Sequence, residues 1–289
     1  MTNGYVRTHR LSDEEFQRLK EVIRKELGIK MPETKKVMLE SRLQKRLRTL
    51  GMGSFTEYLD YVLDTNRSNG ELTHMIDTVT TNKTDFFREE DHFTYMYEHI
   101  LPDLTNRYRY TASNPCRVWS AGCSTGEEAY TIAMVFEDYR KSIGHIEYEI
   151  TATDVSQKVV RECDKGIYRS DRINFMNLEY KKRYFLKSKD NTSNLVRVKP
   201  FLRERVQCFP LNLKMTNKDF YQRFDIVFCR NVLIYFEKQM QDKILSNIFD
   251  SVKPEGYVIL GHSEPLLQAG FPVKTMASTI YQKLEGEVR

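Results

Sequence analysis

The segment of this sequence best suited to bind a ligand is a run of small residues that ends in two acids. It covers Val118–Ala129 and reads VWSAGCSTGEEA. The apolar pattern predicts a strand before the small residues and a helix after them. A loop of this kind lets the backbone approach a ligand at a helix N-terminus, on the carboxyl edge of a sheet. A tight strand-to-helix turn without a ligand would show the same pattern, so the neighbouring residues must decide.

Three carboxylates indicate which ligand such a loop would take. Glu127 and Glu128 lie in the first turn of the predicted helix, where a dinucleotide-binding loop presents bare amides to a pyrophosphate. Two acids there would repel a phosphate and attract an ammonium group. Asp154 ends the next predicted strand, 28 residues after Gly126, where an acid can accept hydrogen bonds from ribose hydroxyls. A nucleoside with a cationic, phosphate-free tail fits this set, which points to S-adenosylmethionine. Asp154 as a simple helix cap is the plainer alternative.

Five further segments combine residue types that are rarely found together. They are Thr81–Glu89 (TNKTDFFRE), Gly166–Tyr168 (GIY), Asn212–Leu213 (NL), Phe228–Phe236 (FCRNVLIYF) and Gly261–Glu264 (GHSE). Together with Trp119–Glu128 they resemble the CheR family, the bacterial chemotaxis receptor methyltransferases. The resemblance extends from about residue 10 to about residue 285, in the family's order. Members of this family transfer a methyl group from S-adenosylmethionine to glutamate side chains of chemoreceptors and release S-adenosylhomocysteine.

The resemblance implies which residues bind the cofactor. These are Asn82, Thr84, Arg88, Glu128, Asp154, Asn212, Leu213, Arg230 and Asn231. Of the two neighbouring acids, Glu128 is implied as the partner of the methionine ammonium group, and Asp154 is implied as the partner of the ribose. Asn212 and Leu213 are implied to lie against the adenine. No metal ion is expected.

Methyl transfer to a carboxylate requires positioning of the acceptor rather than a general base. A glutamate side chain has an ordinary pKa of about 4.3 and is ionised at neutral pH. Displacement at the sulfonium methyl neutralises charge, so exclusion of water and alignment of the oxygen both favour it. The resemblance places Arg88 and Tyr235 beside the reacting methyl as the catalytic residues. We expect Arg88 to orient the carboxylate and the Tyr235 hydroxyl to donate to its second oxygen. Because the reaction requires no general base, His262 is not assigned that role.

A basic face on the second predicted helix is the candidate docking surface for the substrate. Residues 35–50 contain six cations and one acid. At about 100° per residue, several of these cations share a face beside a stripe of leucines. A solvated charged face is the plain interpretation, and a nucleic-acid patch would include aromatic residues, which are missing here. The resemblance implies that Arg42, Lys45, Arg46 and Arg48 dock the acidic methylation helices of a receptor.

The first eighty residues predict short helices and no strands. Ser12 and Glu15 have the spacing of a capping box, and the helix that follows ends at Gly28. The leucine stripe predicts a second helix that ends at Gly51. Two shorter helices follow, the last of them over Glu71–Val79. These elements indicate an all-α N-terminal domain.

After residue 107 the pattern changes to strands that alternate with helices. The predicted strands are Arg117–Ser120, Tyr148–Thr153, Phe224–Cys229 and Tyr257–Leu260, with an antiparallel edge strand near Thr279–Leu284. This alternation indicates an α/β fold with a parallel sheet, and the resemblance implies a Rossmann-like class I methyltransferase sheet. Residues 166–209 do not follow the alternation. Within them Leu195–Val198 suggests a small antiparallel β insertion.

These elements predict three parts of the chain. Residues 1–80 form the N-terminal helical domain with the basic docking helix, and residues 81–107 form a linker that contributes to the cofactor site. Residues 108–289 form the S-adenosylmethionine-binding methyltransferase domain, with the β insertion at about 180–200. In some members of the family this insertion binds a peptide at the receptor C-terminus through a loop that contains glycines. Residues 187–194 contain no glycine, so such tethering is left open.

Composition excludes several classes of protein. The 289 residues include 45 basic and 40 acidic side chains, a net charge of +5, so the chain is not basic throughout. No apolar run approaches the ~20 residues that span a bilayer, and the N-terminus has no secretion signal. Five cysteines without a CxxC pair predict reduced thiols rather than disulfides or a zinc site. We expect a cytoplasmic monomer that acts on the cytoplasmic domains of methyl-accepting chemotaxis receptors, without nucleic acid or membrane insertion.

Two other functions remain open from the residues. One is an S-adenosylmethionine-dependent methyltransferase that acts on RNA or a small molecule, with the basic helix bound to phosphate. The other is a non-catalytic module that senses the cofactor, against which the presence of both Arg88 and Tyr235 speaks. A nicotinamide dehydrogenase is disfavoured by the two acids Glu127 and Glu128.

Overall fold

The computed structural model describes residues 10–64, 70–190, 192–215, 218–266 and 270–285. They form two compact units. The first contains the residues up to Thr81 together with Tyr235–Glu237, and the second contains Asn82–Ile234 and the residues from Lys238 onward. None of the helices in the described ranges is long and apolar enough to cross a membrane. Position 191 of the predicted insertion loop lies outside the described residues.

The first unit is built from helices whose ends are encoded locally. They are α1 (Asp13–Leu27), α2 (Lys36–Leu50), α3 (Phe55–Leu63) and α4 (Glu71–Val79). The predicted capping box is confirmed: Ser12 Oγ accepts from the Glu15 amide, and the Glu15 carboxylate accepts from the Ser12 amide. Gly28 and Gly51 end α1 and α2 with φ of 76° and 69°, a conformation that costs glycine little. Of the predicted leucine stripe of α2, Leu39, Leu43 and Leu47 are buried and Leu50 is partly exposed.

The second unit contains two sheets with helices around them. Its helices are α5 (Glu90–Tyr95), α6 (Leu101–Arg107), α7 (Glu127–Ser142), α8 (Gln157–Lys165), α9 (Leu178–Tyr184), α10 (Pro200–Arg203) and α11 (Lys238–Ser251), and a π-helical turn at Met96–Ile100 joins α5 to α6. Its strands are β1 (Cys116–Ala121), β2 (Tyr148–Asp154), β3 (Ile167–Arg169), β4 (Phe185–Lys187), β5 (Leu195–Val198), β6 (Val206–Pro210), β7 (Phe224–Cys229), β8 (Val252–Leu260), β9 (Val273–Ala277) and β10 (Ile280–Lys283).

The larger sheet has the strand order β6-β2-β1-β7-β8-β10-β9. The first five strands in this order pair in parallel, and β10 pairs antiparallel with both of its neighbours. Every residue of β7 is buried, as its continuous apolar sequence predicts for a strand covered on both faces. The predicted α/β fold with a parallel sheet and a small antiparallel sheet is confirmed. In such a sheet the carboxyl ends of β1, β2 and β7 meet at one edge.

Two strand assignments differ from the sequence prediction. The expected edge strand, β10, is antiparallel but lies inside the sheet, because β9 forms the edge beyond it. The region 166–209, in which no parallel strand is identified from the sequence, ends in β6, which pairs in parallel with β2. The antiparallel insertion has the order β3-β5-β4, so Ile167–Arg169 belongs to it as well as residues near 180–200. Strand order depends on pairing between distant segments, which the local pattern does not contain.

Residues 82–107, most of the predicted linker, pack into the second unit. After a loop they form α5, the π-helical turn and α6, and Phe93, Met96, Ile100 and Leu104 from these turns lie in the hydrophobic core. The loop that precedes α5 is therefore anchored to a buried helix.

The five cysteines are free.

Candidate functional site

The loop between β1 and α7 is fixed to the end of β2. The amides of Gly122 and Cys123 both donate to the Thr153 carbonyl at 2.8 Å, and the Ser124 amide donates to Asp154 Oδ2 at 3.0 Å. Gly122 has φ of +83°, and a Cβ at this position would lie 2.4 Å from a methyl carbon of Val232. A side chain there would therefore collide with the loop after β7. The small residues of the predicted loop hold its backbone close to two neighbouring strand ends.

Asp154 lies where the sequence predicted it, at the carboxyl end of β2. It is buried, and its Oδ1 accepts from the Ser156 amide at 2.9 Å while Oδ2 accepts from Ser124. The carboxylate is thus oriented by two backbone amides. An acid at this position on the sheet edge can accept hydrogen bonds from ribose hydroxyls.

The two acids at the start of α7 are held by different arginines. Glu128 Oε1 accepts from Ser120 Oγ at 2.7 Å, and Oε2 lies 3.2 Å from Arg230 Nη1. Burial raises the pKa of Glu128, and Arg230 opposes this shift. Glu127 is also buried, and its Oε1 lies 2.7 Å from Arg172 Nη2. Glu127 therefore has an ion-pair partner on the side of the β insertion, and Glu128 faces the end of β7.

Arg230 and Asn231 follow β7 and share one carboxylate. Arg230 Nη2 donates to Glu89 Oε2 at 3.0 Å and to the Arg88 carbonyl, and Asn231 Nδ2 donates to Glu89 Oε1 at 3.0 Å. The Arg230 guanidinium also lies 5.1 Å from the ring centroid of Phe93. Burial alone would raise the pKa of Glu89, but the bonds from Asn231 and Arg230 bring it below its ordinary value. The structure thus brings Glu128, Arg230, Glu89 and Asn231 into one network.

Glu264 is a second carboxylate that organises the loop after β7. It is buried, and it accepts from the amides of Asn231 at 2.5 Å, Ile234 at 3.1 Å and Gly261 at 3.1 Å. Burial raises the pKa of Glu264, and these backbone amides oppose the shift. Sequence reasoning did not assign a role to Glu89 or Glu264. The sequence does contain a hint of their roles, because each acid ends one of the segments that resemble the CheR family, Thr81–Glu89 and Gly261–Glu264.

Backbone strain is concentrated in these same segments. Phe87, Glu89, Ser124 and Asn231 have φ of 54°, 55°, 50° and 58°, a region that side chains other than glycine rarely adopt. Each such residue costs about 1–3 kcal/mol and persists only where surrounding contacts hold it in place. The amide bonds to Asp154 and Glu264 supply such contacts. Strain that is kept in this way is a common property of binding and catalytic loops.

The three predicted cofactor residues before α5 contact the rest of the second unit in different ways. The Asn82 carbonyl accepts from Ser124 Oγ at 2.9 Å, and the Thr84 carbonyl accepts from Arg172. Arg88 Nη1 donates to the Lys83 carbonyl at 3.1 Å, and its side chain is partly exposed. Main-chain contacts therefore hold this loop against the loop before α7, and the Arg88 guanidinium reaches solvent.

Asn212 and Leu213 follow β6, next to the end of β2. Asn212 Oδ1 accepts from the Lys214 amide at 3.1 Å, which closes a tight turn. Leu213 lines a cavity of about 260 Å³ together with Trp119, Phe220 and Ile248. These apolar walls suit a flat ring such as adenine.

Tyr235 belongs to the first unit, and Arg88 belongs to the second. The Tyr235 ring is partly buried, and its centroid lies 5.1 Å from Lys35 Nζ. The Tyr235 carbonyl accepts from the Lys30 amide at 2.9 Å. Burial lowers the pKa of Lys35, and the nearby Arg42 lowers it further.

The predicted docking cations divide into two pairs. Arg42 Nη1 donates to the Thr80 carbonyl at 2.9 Å, beyond the last residue of α4. Arg46 forms two bonds of 2.7 and 2.5 Å to Glu71, whose side chain is 2% exposed. Arg42 and Arg46 therefore stabilise the first unit. Lys45 and Arg48 are exposed on α2 and remain available to a partner.

Comparison with known proteins assigns both parts of the chain. Residues 82–282 match a family model described as the CheR methyltransferase, SAM binding domain, and residues 14–80 match the CheR methyltransferase, all-alpha domain. A chemotaxis protein methyltransferase of Borreliella burgdorferi is 36% identical over 257 residues, 89% of each chain. Chemotaxis protein methyltransferase 2 of Pseudomonas aeruginosa is 35% identical over 93% of this chain and 92% of the relative. The Escherichia coli chemotaxis protein methyltransferase is 37% identical over 88% of this chain and 85% of the relative.

Proposed function

This chain belongs to the CheR methyltransferase family, and from that premise we propose that it methylates glutamate side chains of methyl-accepting chemotaxis receptors. The observation that carries the proposal is the match of both family models, because together they span residues 14–80 and 82–282. S-adenosylmethionine is the methyl donor of the family. The products are glutamate methyl esters and S-adenosylhomocysteine, and the role is sensory adaptation, exerted in the cytoplasm on receptor cytoplasmic domains.

The residues at the carboxyl edge of the large sheet fit the donor. Glu128 keeps acceptor capacity beyond its bonds to Ser120 and Arg230, so it can bind the methionine ammonium group. Asp154 can accept from the ribose hydroxyls, and the apolar cavity beside Leu213 can take the adenine. Asn82 and Thr84 hold the loop before α5 in place through their carbonyls. Asn231 orients the loop after β7.

The reaction requires alignment of an anion that is already ionised. S-adenosylmethionine supplies a methyl group on a positively charged sulfur, and attack by a carboxylate oxygen neutralises both charges. Arg88 orients the acceptor carboxylate, and the Tyr235 hydroxyl donates to the oxygen that does not react. An ion pair that held the reacting oxygen tightly would weaken it as a nucleophile, so positioning contributes more than charge stabilisation.

Receptor docking uses the exposed part of the basic face. Lys45 and Arg48 lie on α2 with their side chains in solvent, where they can attract an acidic receptor helix. Arg42 and Arg46 support the helix from which these two cations project.

The test is methyl transfer from radiolabelled S-adenosylmethionine to a purified receptor cytoplasmic domain. We expect label in the receptor protein that alkali releases as methanol, the behaviour of an ester. Asp154→Asn serves as the control variant, because it should lose binding of S-adenosylmethionine. Calorimetry with S-adenosylhomocysteine and NAD measures the choice of cofactor separately. Label on RNA in place of the receptor, or binding of S-adenosylhomocysteine with no transfer to any receptor domain, contradicts the proposed substrate.

A further inference from the structure

We infer that Glu89, His92 and His262 form a binding site for a divalent transition-metal ion. The ligand atoms of these three side chains all lie within 4.8 Å of one another. Glu89 and His92 lie at the start of α5, and His262 lies in the turn after β8. Methyl transfer requires none of these side chains as a reacting group, so metal binding goes beyond the proposed function, and Glu89 also belongs to the network with Arg230, Asn231 and Glu128.

His92 directs an unsatisfied nitrogen at this cluster. Its side chain is buried, and Nδ1 has no hydrogen-bond partner. The other ring nitrogen, Nε2, lies 3.0 Å from Thr279 Oγ1, and that hydroxyl donates to the Ser278 carbonyl at 2.7 Å. Because the Thr279 hydrogen is used there, Nε2 carries the ring proton and donates to Oγ1. Nδ1 is therefore left with a bare lone pair, the form in which imidazole binds metals.

The nearest carboxylate oxygen faces this lone pair. Glu89 Oε2 lies 3.5 Å from His92 Nδ1. The His92 lone pair and the Glu89 oxygen are both acceptors and repel each other, and a cation bound between them would remove this repulsion. Two ligand atoms about 2.1 Å from a tetrahedral ion are about 3.4 Å apart. The observed separation is therefore the spacing of two ligands on one ion.

His262 is the third member of the set, and its ring centroid lies 4.7 Å from that of His92. Its Nε2 lies 2.9 Å from Asp91 Oδ2, so this nitrogen carries the proton and Nδ1 is free to bind. A carboxylate that accepts from one imidazole nitrogen while the other binds the ion is the usual arrangement of metal-bound histidines. The His262 side chain is 46% exposed, which provides a path for the ion and space for water ligands.

The local charge favours a cation. Glu89, Asp91 and Glu128 supply three negative charges, and Arg230 supplies one positive charge to Glu89 and Glu128. Glu89 accepts from Asn231, Arg230 and the His262 amide, which uses three of its about four acceptor sites. Two imidazoles and one carboxylate select zinc, cobalt, nickel or ferrous iron over magnesium or calcium.

The test uses the full chain, treated with chelator and free of S-adenosylmethionine. Cobalt(II) is titrated and followed by its visible d–d absorption, and zinc binding is measured by calorimetry. We expect one equivalent of ion, and at least about tenfold weaker binding in His262→Ala. His145→Ala is the matched control, because His145 is also exposed and lies 3.0 Å from an acid, Glu147.

Two results would overturn the inference. One is the lack of a saturable cobalt spectrum in the unmodified protein. The other is an equal affinity for the metal ion in the unmodified protein and in His262→Ala, when both proteins also unfold at the same temperature. Asp91→Asn separates the orienting carboxylate from the ligands, and we expect it to weaken binding less than His262→Ala does. Metal binding is read without methyl transfer, so failure here leaves the proposed receptor substrate unaffected.

Discussion

Arg46 and Lys45 are neighbours on α2, and we expect their replacement by alanine to have different consequences. Arg46 binds both oxygens of Glu71, and Tyr58 donates to the same carboxylate at 3.0 Å. Glu71 is 2% exposed, so loss of Arg46 leaves a buried carboxylate with a phenol as its neutral partner. Lys45 is exposed. Arg46→Ala should therefore destabilise the first unit, and Lys45→Ala should not.

The structure sets the size of this difference. Removal of one partner from a buried ion pair costs about 3–5 kcal/mol. A quarter of the Arg46 side chain reaches solvent, which places the expected loss near the lower end, at about 3 kcal/mol. An exposed lysine away from such contacts changes the free energy of unfolding by less than about 0.5 kcal/mol.

Urea unfolding of the full chain with two signals tests this prediction. Trp119, the single tryptophan, lies in β1, so its fluorescence reports the second unit, and far-UV circular dichroism includes the helices of the first. We expect Arg46→Ala to move the circular dichroism transition to lower urea while the fluorescence transition stays in place. Equal transitions for Arg46→Ala and Lys45→Ala would refute the reasoning. Reduced receptor methylation in an Arg46 variant would then report docking rather than folding.

Four other predictions concern the proposed reaction. Lys45→Glu with Arg48→Glu should abolish most receptor methylation without changing the unfolding midpoint or the affinity for S-adenosylhomocysteine, and unchanged methylation would exclude these cations from docking. Tyr235→Phe should lower kcat/KM at least about threefold, since an aimed hydrogen bond contributes about 1 kcal/mol, or roughly fivefold, and a smaller loss would contradict its role. Burial raises the pKa of Glu128 above the ordinary 4.5, and an ammonium group binds its ionised form. Affinity for S-adenosylhomocysteine should therefore fall as the pH falls through the raised pKa, and calorimetry at a series of pH values should show a flat profile in Glu128→Gln. Glu264→Gln replaces a carboxylate that accepts from three backbone amides, and we expect a loss of about 1.5–3 kcal/mol in the stability of the loop. This loss should weaken S-adenosylhomocysteine binding about tenfold. Unchanged affinity would show that the loop holds its shape without the charge.

The sequence alone determined the features that depend on neighbouring residues. The capping box at Ser12, the glycine end of α1 at Gly28 and the buried strand Phe224–Cys229 follow from spacing within a few positions. The same holds for the acids at the start of α7 and for Asp154 at the end of β2, which local alternation placed at helix and strand ends. Local patterns suffice there because helix capping involves only neighbouring residues, and because a continuous apolar run already marks a strand that is covered on both faces.

Tertiary structure alone decided which of these groups meet. Glu71 pairs with Arg46 across 25 positions, and Glu89 binds Arg230 across 141 positions, so no local pattern reveals either contact. The first pairing gives Arg46, a predicted docking cation, a further role as a support of the helical unit. The place of β10 inside the sheet has the same origin, since β9 covers its free edge. Such pairings form only when distant elements pack together. An unpaired charge or strand edge becomes costly once it is buried, and a group still in water pays no such cost.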